Sequence, residues 1–503
     1  MKVFRTSSAP TVVVLLLLAG FVPAGSAEAQ NTPQHDSVSR TIPAFFISDI
    51  HFDPFHDPAK VRQLVAAPVS QWASILSTAP SPDQQQAFAS LQKTCDTRGV
   101  DTPYALLESS LKAMQTSQPD AKFITITGDL IAHSFSCKYT TLVPESNGAG
   151  SNGAGGNPAG YQAFVLKTIA FVLQQLRSGF PGVPIYTGLG NNDTACGDYQ
   201  LDPDSAFLAE TGKLIAEDLP ASQRSQAVRA FAAGGYYSVS MAAPMRDTRL
   251  IVVNDLFLSP KYKTCAGASS TAGADTEMTW LEKEFEEAQH LHQKVWVIGH
   301  IPPGIDPYST VSKFKDVCGK DDPVMFLSSD KMADLLIEHA AEVRLAIFAH
   351  THMDEIRLLS PQDDAHASSD HSVALRIVSS ISPVDGNNPS FTVARIDPAS
   401  SVLQDDKVIA ASNQTGIDTT WSTEYDYAES YHQTQFSPAA VNTLIAGFES
   451  DHGATTQPSL DYIHNYFVGA TVPEIKPFWP QYVCALGNHT AKGYAACVCS
   501  PGK

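Results

Sequence analysis

Positive charge is scarce in this sequence: 33 Lys and Arg stand against 52 Asp and Glu, giving a formal net charge of −19 over 503 residues. Such a chain has no long-range attraction for nucleic acid or an anionic membrane, so no nucleic-acid-binding surface is expected. Long apolar runs are missing as well. The run TVVVLLLLAGFV near the N-terminus falls well short of the roughly 20 residues that span a bilayer, and no later stretch spans one. C-x-x-C pairs are absent, since Cys497 and Cys499 are separated by one residue, which makes a structural zinc knuckle the weaker reading. No repeat of fixed period is visible. A site for an anionic substrate therefore needs local positive charge, and bound metal ions are one source of it.

Hydrophobic residues make up 43% and charged residues 17%, which is ordinary globular composition with enough apolar material for a substantial core. Lys2 and Arg5 precede the N-terminal apolar run, and Ala27-Glu28-Ala29 supplies small residues for a signal peptidase. Residues 1–29 are thus expected to be a signal peptide of an exported protein, secreted or periplasmic, with a membrane anchor as the alternative. Eight cysteines, an even number, agree with export: Cys95, Cys137, Cys196, Cys265, Cys318, Cys484, Cys497 and Cys499. Disulfides follow, but eight cysteines allow about 105 connectivities and the pairing stays open.

From about residue 43 to 397 short β-rich runs alternate with helical patterns: AFFISDI, KFITITGDL, VPIYTGLG, YYSVSM, RLIVVNDLFL, KVWVIGH, RLAIFAH, ALRIVSSI and FTVARI. These read as buried strands. The stretch TWLEKEFEEAQHLHQ repeats Trp280, Leu281 and Phe285 at helical spacing, and the whole is α/β alternation. Residues 145–160, ESNGAGSNGAGGNPAG, form a low-complexity stretch expected to be a mobile surface loop. The last hundred residues hold few β runs, several aromatics and three cysteines, so 401–503 is expected to be a mainly helical, Cys-containing subdomain after a catalytic domain over 43–400. Its aromatics suit either plain core or a contact near a site mouth.

Metal-competent residues sit at the carboxyl end of strand after predicted strand, where α/β sheets present ligand sites. FFISDIH ends in Asp49 and His51, FITITGDLIAH in Asp129 with His133 four residues on, IYTGLGNND in Asn191, VWVIGH in His300, and LAIFAHTH in His350 and His352. Each has a bland explanation alone, since G-D or G-N after a strand is common turn chemistry. A lone His339 or His432 reads as structural or exposed. Five such elements in order do not arise from turn chemistry. Two carboxylates, one amide and four imidazoles form a mixed oxygen/nitrogen set suited to Zn²⁺, with Mn²⁺ or Fe as alternatives.

This order resembles the calcineurin-like metallophosphoesterases, whose pattern runs D-x-H, G-D, G-N-H-[DE], H, G-H-x-H. More narrowly the chain is similar to the acid sphingomyelinase-like phosphodiesterases, through SDIHFDP, GDLIAH, VIGHIPPG and SSISPVDGNNPSF. The resemblance implies a β-sandwich flanked by helices in a four-layer α+β arrangement. It also implies two divalent metals, one held by Asp49, His51 and His352, the other by Asn191, His300 and His350, with Asp129 bridging. His133 is then the candidate general acid, with a structural role beside the metal shell as its alternative.

Two positions depart from the pattern. The family's G-N-H-[DE] is here Gly190-Asn191-Asn192-Asp193, so the usual catalytic His is Asn192, which can donate a hydrogen bond to a phosphoryl oxygen but delivers no proton. Substrates with acidic leaving groups suffer least from that loss. Ala349 replaces the Gly of G-H-x-H, which matters only if the turn needs positive φ. About a dozen residues separate the expected cleavage site from the first strand, too few for a lipid-presenting saposin-type module. The expected activity is therefore hydrolysis of soluble phosphodiesters or phosphoanhydrides, including nucleotides. Sphingomyelin, a degenerate metal- or phosphate-binding homologue, and a structural envelope protein are the alternatives, and the oligomeric state stays open.

Overall fold

The structure, a computed structural model, describes residues 41–144, 158–362, 371–470 and 475–500. The expected signal peptide lies outside the described residues, as does 145–157 of the low-complexity stretch. Residues 158–160 of that stretch are not loop, since they open the helix Pro158–Gly179.

Among the described residues, twelve strands build two mixed sheets. One has the order β12-β11-β10-β1-β2-β3 and the other β4-β5-β6-β7-β9-β8. In the first, β1 (Ile42–Ile47), β2 (Ile124–Ile126) and β3 (Ile185–Thr187) run parallel. The strands β10 (Ser390–Asp397), β11 (Val402–Ala411) and β12 (Trp421–Asp426) extend that sheet antiparallel from β1. In the second, β5 (Thr248–Val252), β6 (Lys294–Ile298), β7 (Val343–Phe348) and β9 (Val373–Ile377) are parallel. The antiparallel strands β4 (Tyr237–Ser240) and β8 (Glu355–Leu359) close its edges. Every residue of β1 and β2 is buried, which is why these segments read as unbroken apolar runs.

The sheets meet through large aromatics. Trp296 of β6 makes edge contacts with Phe46 of β1 and with Phe123 at ring distances of 5.9 and 5.7 Å, a geometry in which the ring edge meets the electron-rich face. Its indole N–H is not left bare in this core, because it donates to the Ser401 carbonyl at 2.8 Å. The helix Ala272–His290 buries Leu281 and Phe285, while Trp280 stacks on Tyr236.

Residue 400 is not a boundary. β11 and β12 lie beyond it and complete the first sheet, and residues 41–503 form one compact unit. Helices follow from Tyr427 onward. Tyr425, Tyr427, Tyr431, Phe448, Tyr462 and Tyr466 are buried core. Four disulfides join Cys95 to Cys137, Cys196 to Cys265, Cys318 to Cys499 and Cys484 to Cys497. No helix among the described residues is long and apolar enough to cross a membrane.

Candidate metal centre

The carboxyl ends of β1, β2 and β3 in one sheet, and of β6 and β7 in the other, converge on one place. Asp49 and His51 follow β1, Asp129 follows β2, Asn191 follows β3, His300 follows β6, and His350 and His352 follow β7. The turns that carry them are strained: Asp49, His51, Asp129, His350 and His352 all have positive φ, between 42° and 71°. Non-glycine residues occupy that region only where the surroundings over-determine it, and such positions cluster at functional sites. Ala349 is not among the positive-φ residues, so the missing glycine leaves the turn intact. Two glycines are needed by contact. A Cβ on Gly190 would strike the Asp129 carboxylate, and one on Gly128 the Gly190 backbone.

The seven residues form two adjoining groups that share Asp129. In the first, His352 Nε2 lies 3.1 Å from His51 Nε2 and 3.3 Å from Asp49 Oδ1. His51 Nε2 is 3.4 Å from Asp129 Oδ2. In the second, His300 Nε2 lies 3.3 Å from Asp129 Oδ2, 3.2 Å from Asn191 Oδ1 and 3.3 Å from His350 Nδ1.

Which of these atoms carry protons decides what the cluster can hold. His51 Nδ1 faces the Ile131 carbonyl and His300 Nδ1 the Thr127 carbonyl, each at 2.9 Å. A carbonyl only accepts, so each ring is protonated at Nδ1 and a neutral ring turns a bare Nε2 inward. The inward atoms are then nitrogen lone pairs, carboxylate oxygens and an amide oxygen, all acceptors. Buried Asp49 Oδ1 accepts no hydrogen bond of good geometry, its nearest nitrogens being His352 Nε2 at 3.3 Å and His51 Nε2 at 3.6 Å. Acceptors crowded at about 3.3 Å out of water's reach repel unless a cation sits among them, and this donor set fits divalent metal ions.

Burial pushes His300 down, but the Asp129 charge and hydrogen bond overcome it and raise it to about 10. Burial and then the His300 charge press His350 down to about 3. The Asp129 carboxylate thus favours the proton on His300, and the His300 charge disfavours one on His350.

Around this cluster stands a ring of residues that the strand-end pattern did not single out. Asp101 accepts from the His133 backbone N–H and pairs with His133 Nδ1, both at 2.9 Å. Burial lowers the His133 pKa, yet the charge of Asp101 and its hydrogen bond raise it to about 9. The His133 ring stacks on His51 at 3.9 Å, and its side chain is 34% exposed. Lys138 lies behind, 2.8 Å from Asp53 and 3.5 Å from Asp101. Asp193 accepts from the backbone N–H groups of Gly190, Leu130 and Ile131, fixing the β2 and β3 turns to each other. Asp255 accepts from the His300 backbone N–H at 2.6 Å, and burial raises its carboxyl to about 7 against the pull of His300. Asn192 donates from its backbone and its side chain to the two oxygens of Asp129, at 2.8 and 2.9 Å. Local sequence offered a signal for Asp53 and Asp193, inside SDIHFDP and GNND. Asp101, in the turn before the helix Tyr104–Ser117, has none.

Two features mark the open side. A cleft of about 420 Å³ is lined by Ser134, Tyr161, Asn192 and Asp198 and by Cys137 and Cys196 of two disulfides. Exposed Lys261 lies 4.8 Å above the Tyr199 ring and donates to the Tyr199 hydroxyl at 3.3 Å. That hydroxyl is 3.2 Å from His350 Nε2. His339 stands apart from the centre and stacks on Phe285 at 4.7 Å.

No protein-family model matches the chain. Among curated proteins it is 24% identical over 419 residues to the human (Homo sapiens) acid sphingomyelinase-like phosphodiesterase 3b, covering 80% of this chain and 81% of that one. It is 23% identical over 467 residues to the cyclic GMP-AMP phosphodiesterase SMPDL3A of Mus musculus, covering 90% of each. With sphingomyelinase phosphodiesterase D of Dictyostelium discoideum the identity is 27% over 344 residues, 66% of each chain. Over four fifths to nine tenths of its length, the chain is thus similar in sequence to proteins named acid sphingomyelinase-like phosphodiesterases.

Proposed function

We propose that this protein is a two-metal phosphoesterase that hydrolyses phosphodiester or phosphoanhydride bonds of soluble anionic substrates such as nucleotides. The convergence of acceptor atoms from seven residues on one buried place, with no hydrogen bond of good geometry reaching Asp49 Oδ1, carries the reading. Asp49, His51 and His352 would hold one ion and Asn191, His300 and His350 the other, with Asp129 between them; Zn²⁺ suits this set, as do Mn²⁺ and Fe. Ions bound there supply Lewis acidity toward phosphoryl oxygens and acidify a water.

The chain's own residues do the rest. His133 serves as general acid: Asp101 occupies Nδ1, which leaves Nε2 as the atom from which a proton passes to the departing alkoxide. Asn192 holds both oxygens of Asp129 in place, and its remaining amide hydrogen is free for a phosphoryl oxygen. Lys261, at the edge beside Tyr199 and His350, adds a fixed positive charge that favours substrates with a second anionic group. The relative named for cyclic GMP-AMP fits that preference better than those named for sphingomyelin. Four disulfides support an oxidising, exported setting.

The test is hydrolysis of bis(p-nitrophenyl) phosphate by protein stripped of metal and reloaded with Zn²⁺ or Mn²⁺, with Asp129→Asn alongside. Turnover that requires metal and falls at least about 100-fold in Asp129→Asn is expected. No turnover with any metal would assign the chain to non-catalytic phosphate or metal binding.

A further inference from the structure

We propose that the loop from Cys196 to Leu201 presets one of the two metal positions, with Asp198 and Tyr199 as positioning residues for Asn191 and His350. The inference rests on the two-metal reading and adds to it which residues orient the ligands.

An amide ligand can face an ion with its oxygen or, wrongly, with its NH₂. At Asn191 the neighbours decide. Nδ2 donates to Asp198 Oδ1 at 2.7 Å, while Oδ1 faces His300 Nε2 at 3.2 Å. A flipped amide would press its oxygen against the Asp198 carboxylate, acceptor against acceptor, and point NH₂ at the ion. Asp198 therefore holds the oxygen toward the centre. The adjacent residue does the same for an imidazole: His350 Nδ1 faces the centre, 3.3 Å from His300 Nε2, while Nε2 lies 3.2 Å from the Tyr199 hydroxyl. A proton on Nε2 donated to that oxygen leaves Nδ1 bare for a metal. Lys261 also donates to that hydroxyl, at 3.3 Å, so the Tyr199 oxygen acts there as an acceptor.

The loop is itself fixed. Cys196 is bonded to Cys265, the Tyr199 N–H donates to the Asn191 carbonyl at 3.0 Å, and Lys263 N–H donates to the Tyr199 carbonyl at 3.0 Å. Tyr199 is 8% exposed. The three residues ascribed to the other position, and the shared Asp129, are supported from outside this loop: Ser48 bonds Asp49, Ile131 bonds His51, Asn192 bonds Asp129, and Asp385 lies 3.1 Å from His352 Nδ1. The two positions thus have separate supports, and damage to one support should be felt at one ion.

The experiment is Zn²⁺ binding to the metal-stripped full chain by competition with a chromophoric chelator, comparing wild type with Asp198→Ala, Asp198→Asn and Tyr199→Phe. Anomalous diffraction from zinc-loaded crystals gives the occupancy at each position. Wild type should bind two equivalents. Asp198→Ala and Tyr199→Phe should each weaken one equivalent by about 10- to 100-fold, the occupancy lost being the one beside Asn191 and His300. Asp198→Asn, which can still accept from Asn191, should retain most of the affinity. Two equivalents bound as in wild type by both Asp198→Ala and Tyr199→Phe, or both equivalents weakened alike, overturns the inference. A wild type that binds fewer than two equivalents instead contradicts the two-metal reading on which it rests.

Discussion

A single hydrogen bond supports the proposal that His133 is the general acid. Asp101 and His133 are joined at 2.9 Å, a carboxylate–imidazole pair whose protonated form is favoured well above the ordinary histidine range. His133→Gln should therefore lower kcat/KM about 10²- to 10³-fold for esters with alkoxide leaving groups and hardly at all for p-nitrophenolate, which leaves without a proton. Asp101→Asn gives a second check, with a definite sign. Removing the carboxylate lowers the His133 pKa, so the acid form is lost sooner as pH rises. The basic limb of the pH–rate profile should move to lower pH by a unit or more, and an unmoved limb would remove His133 from the acid's role. The metal-competent residues were legible because each ends an apolar run, so burial and position follow from a few neighbours in sequence. Asp101 and Asp255 were not, since each matters only through a partner, His133 or the His300 backbone, that folding brings to it.

At the level of elements, the strands that escaped the sequence pattern share one cause. β8 carries Glu355 and Arg357, β11 carries Asp405, Asp406 and Lys407, and β12 reads WSTEYD. Charges break the apolar run by which a buried strand is recognised, yet Glu355, Arg357 and Asp406 are buried in ion pairs. Arg376 of β9 bonds Asp354 at 2.8 and 2.9 Å, Asp406 of β11 at 2.9 and 3.3 Å, and Tyr425 of β12 at 2.8 Å. One guanidinium thus ties the second sheet to the far half of the first, with Arg376, Asp354 and Asp406 all buried. Deleting it leaves two carboxylates without a countercharge. Arg376→Ala should cost about 3–5 kcal/mol in urea unfolding, whereas a loss below about 1 kcal/mol would mean that water reaches the network. β12 is in addition an edge strand, with Ser422 and Thr423 exposed.

For the whole molecule, the net charge of −19 opposes the approach of a phosphate, so attraction must be local. The centre and Lys261 are where it is available. Lys261→Ala should raise KM for a substrate carrying a second phosphate several-fold, leave kcat within about a factor of two, and leave bis(p-nitrophenyl) phosphate unaffected. Equal effects on both substrates would make Lys261 a support of Tyr199 alone. The disulfides organise the same region. Cys95–Cys137 and Cys196–Cys265 flank the cleft. Cys484–Cys497 joins the last two helices to each other, and Cys318–Cys499 fastens the C-terminal end to the segment that follows His300. Their existence followed from the even count, but their pairing is a property of the fold. The two-sheet architecture was legible from alternating runs and the resemblance together. The extension of the first sheet past residue 400 was not, because its last two strands are polar.

The central claim is that two ions, shared through Asp129, make the centre work. The direct measurement is bis(p-nitrophenyl) phosphate hydrolysis by metal-stripped protein as Zn²⁺ or Mn²⁺ is added in known equivalents. Activity should rise to a plateau at two equivalents per chain. Full activity at one equivalent, or none at any loading, would contradict it.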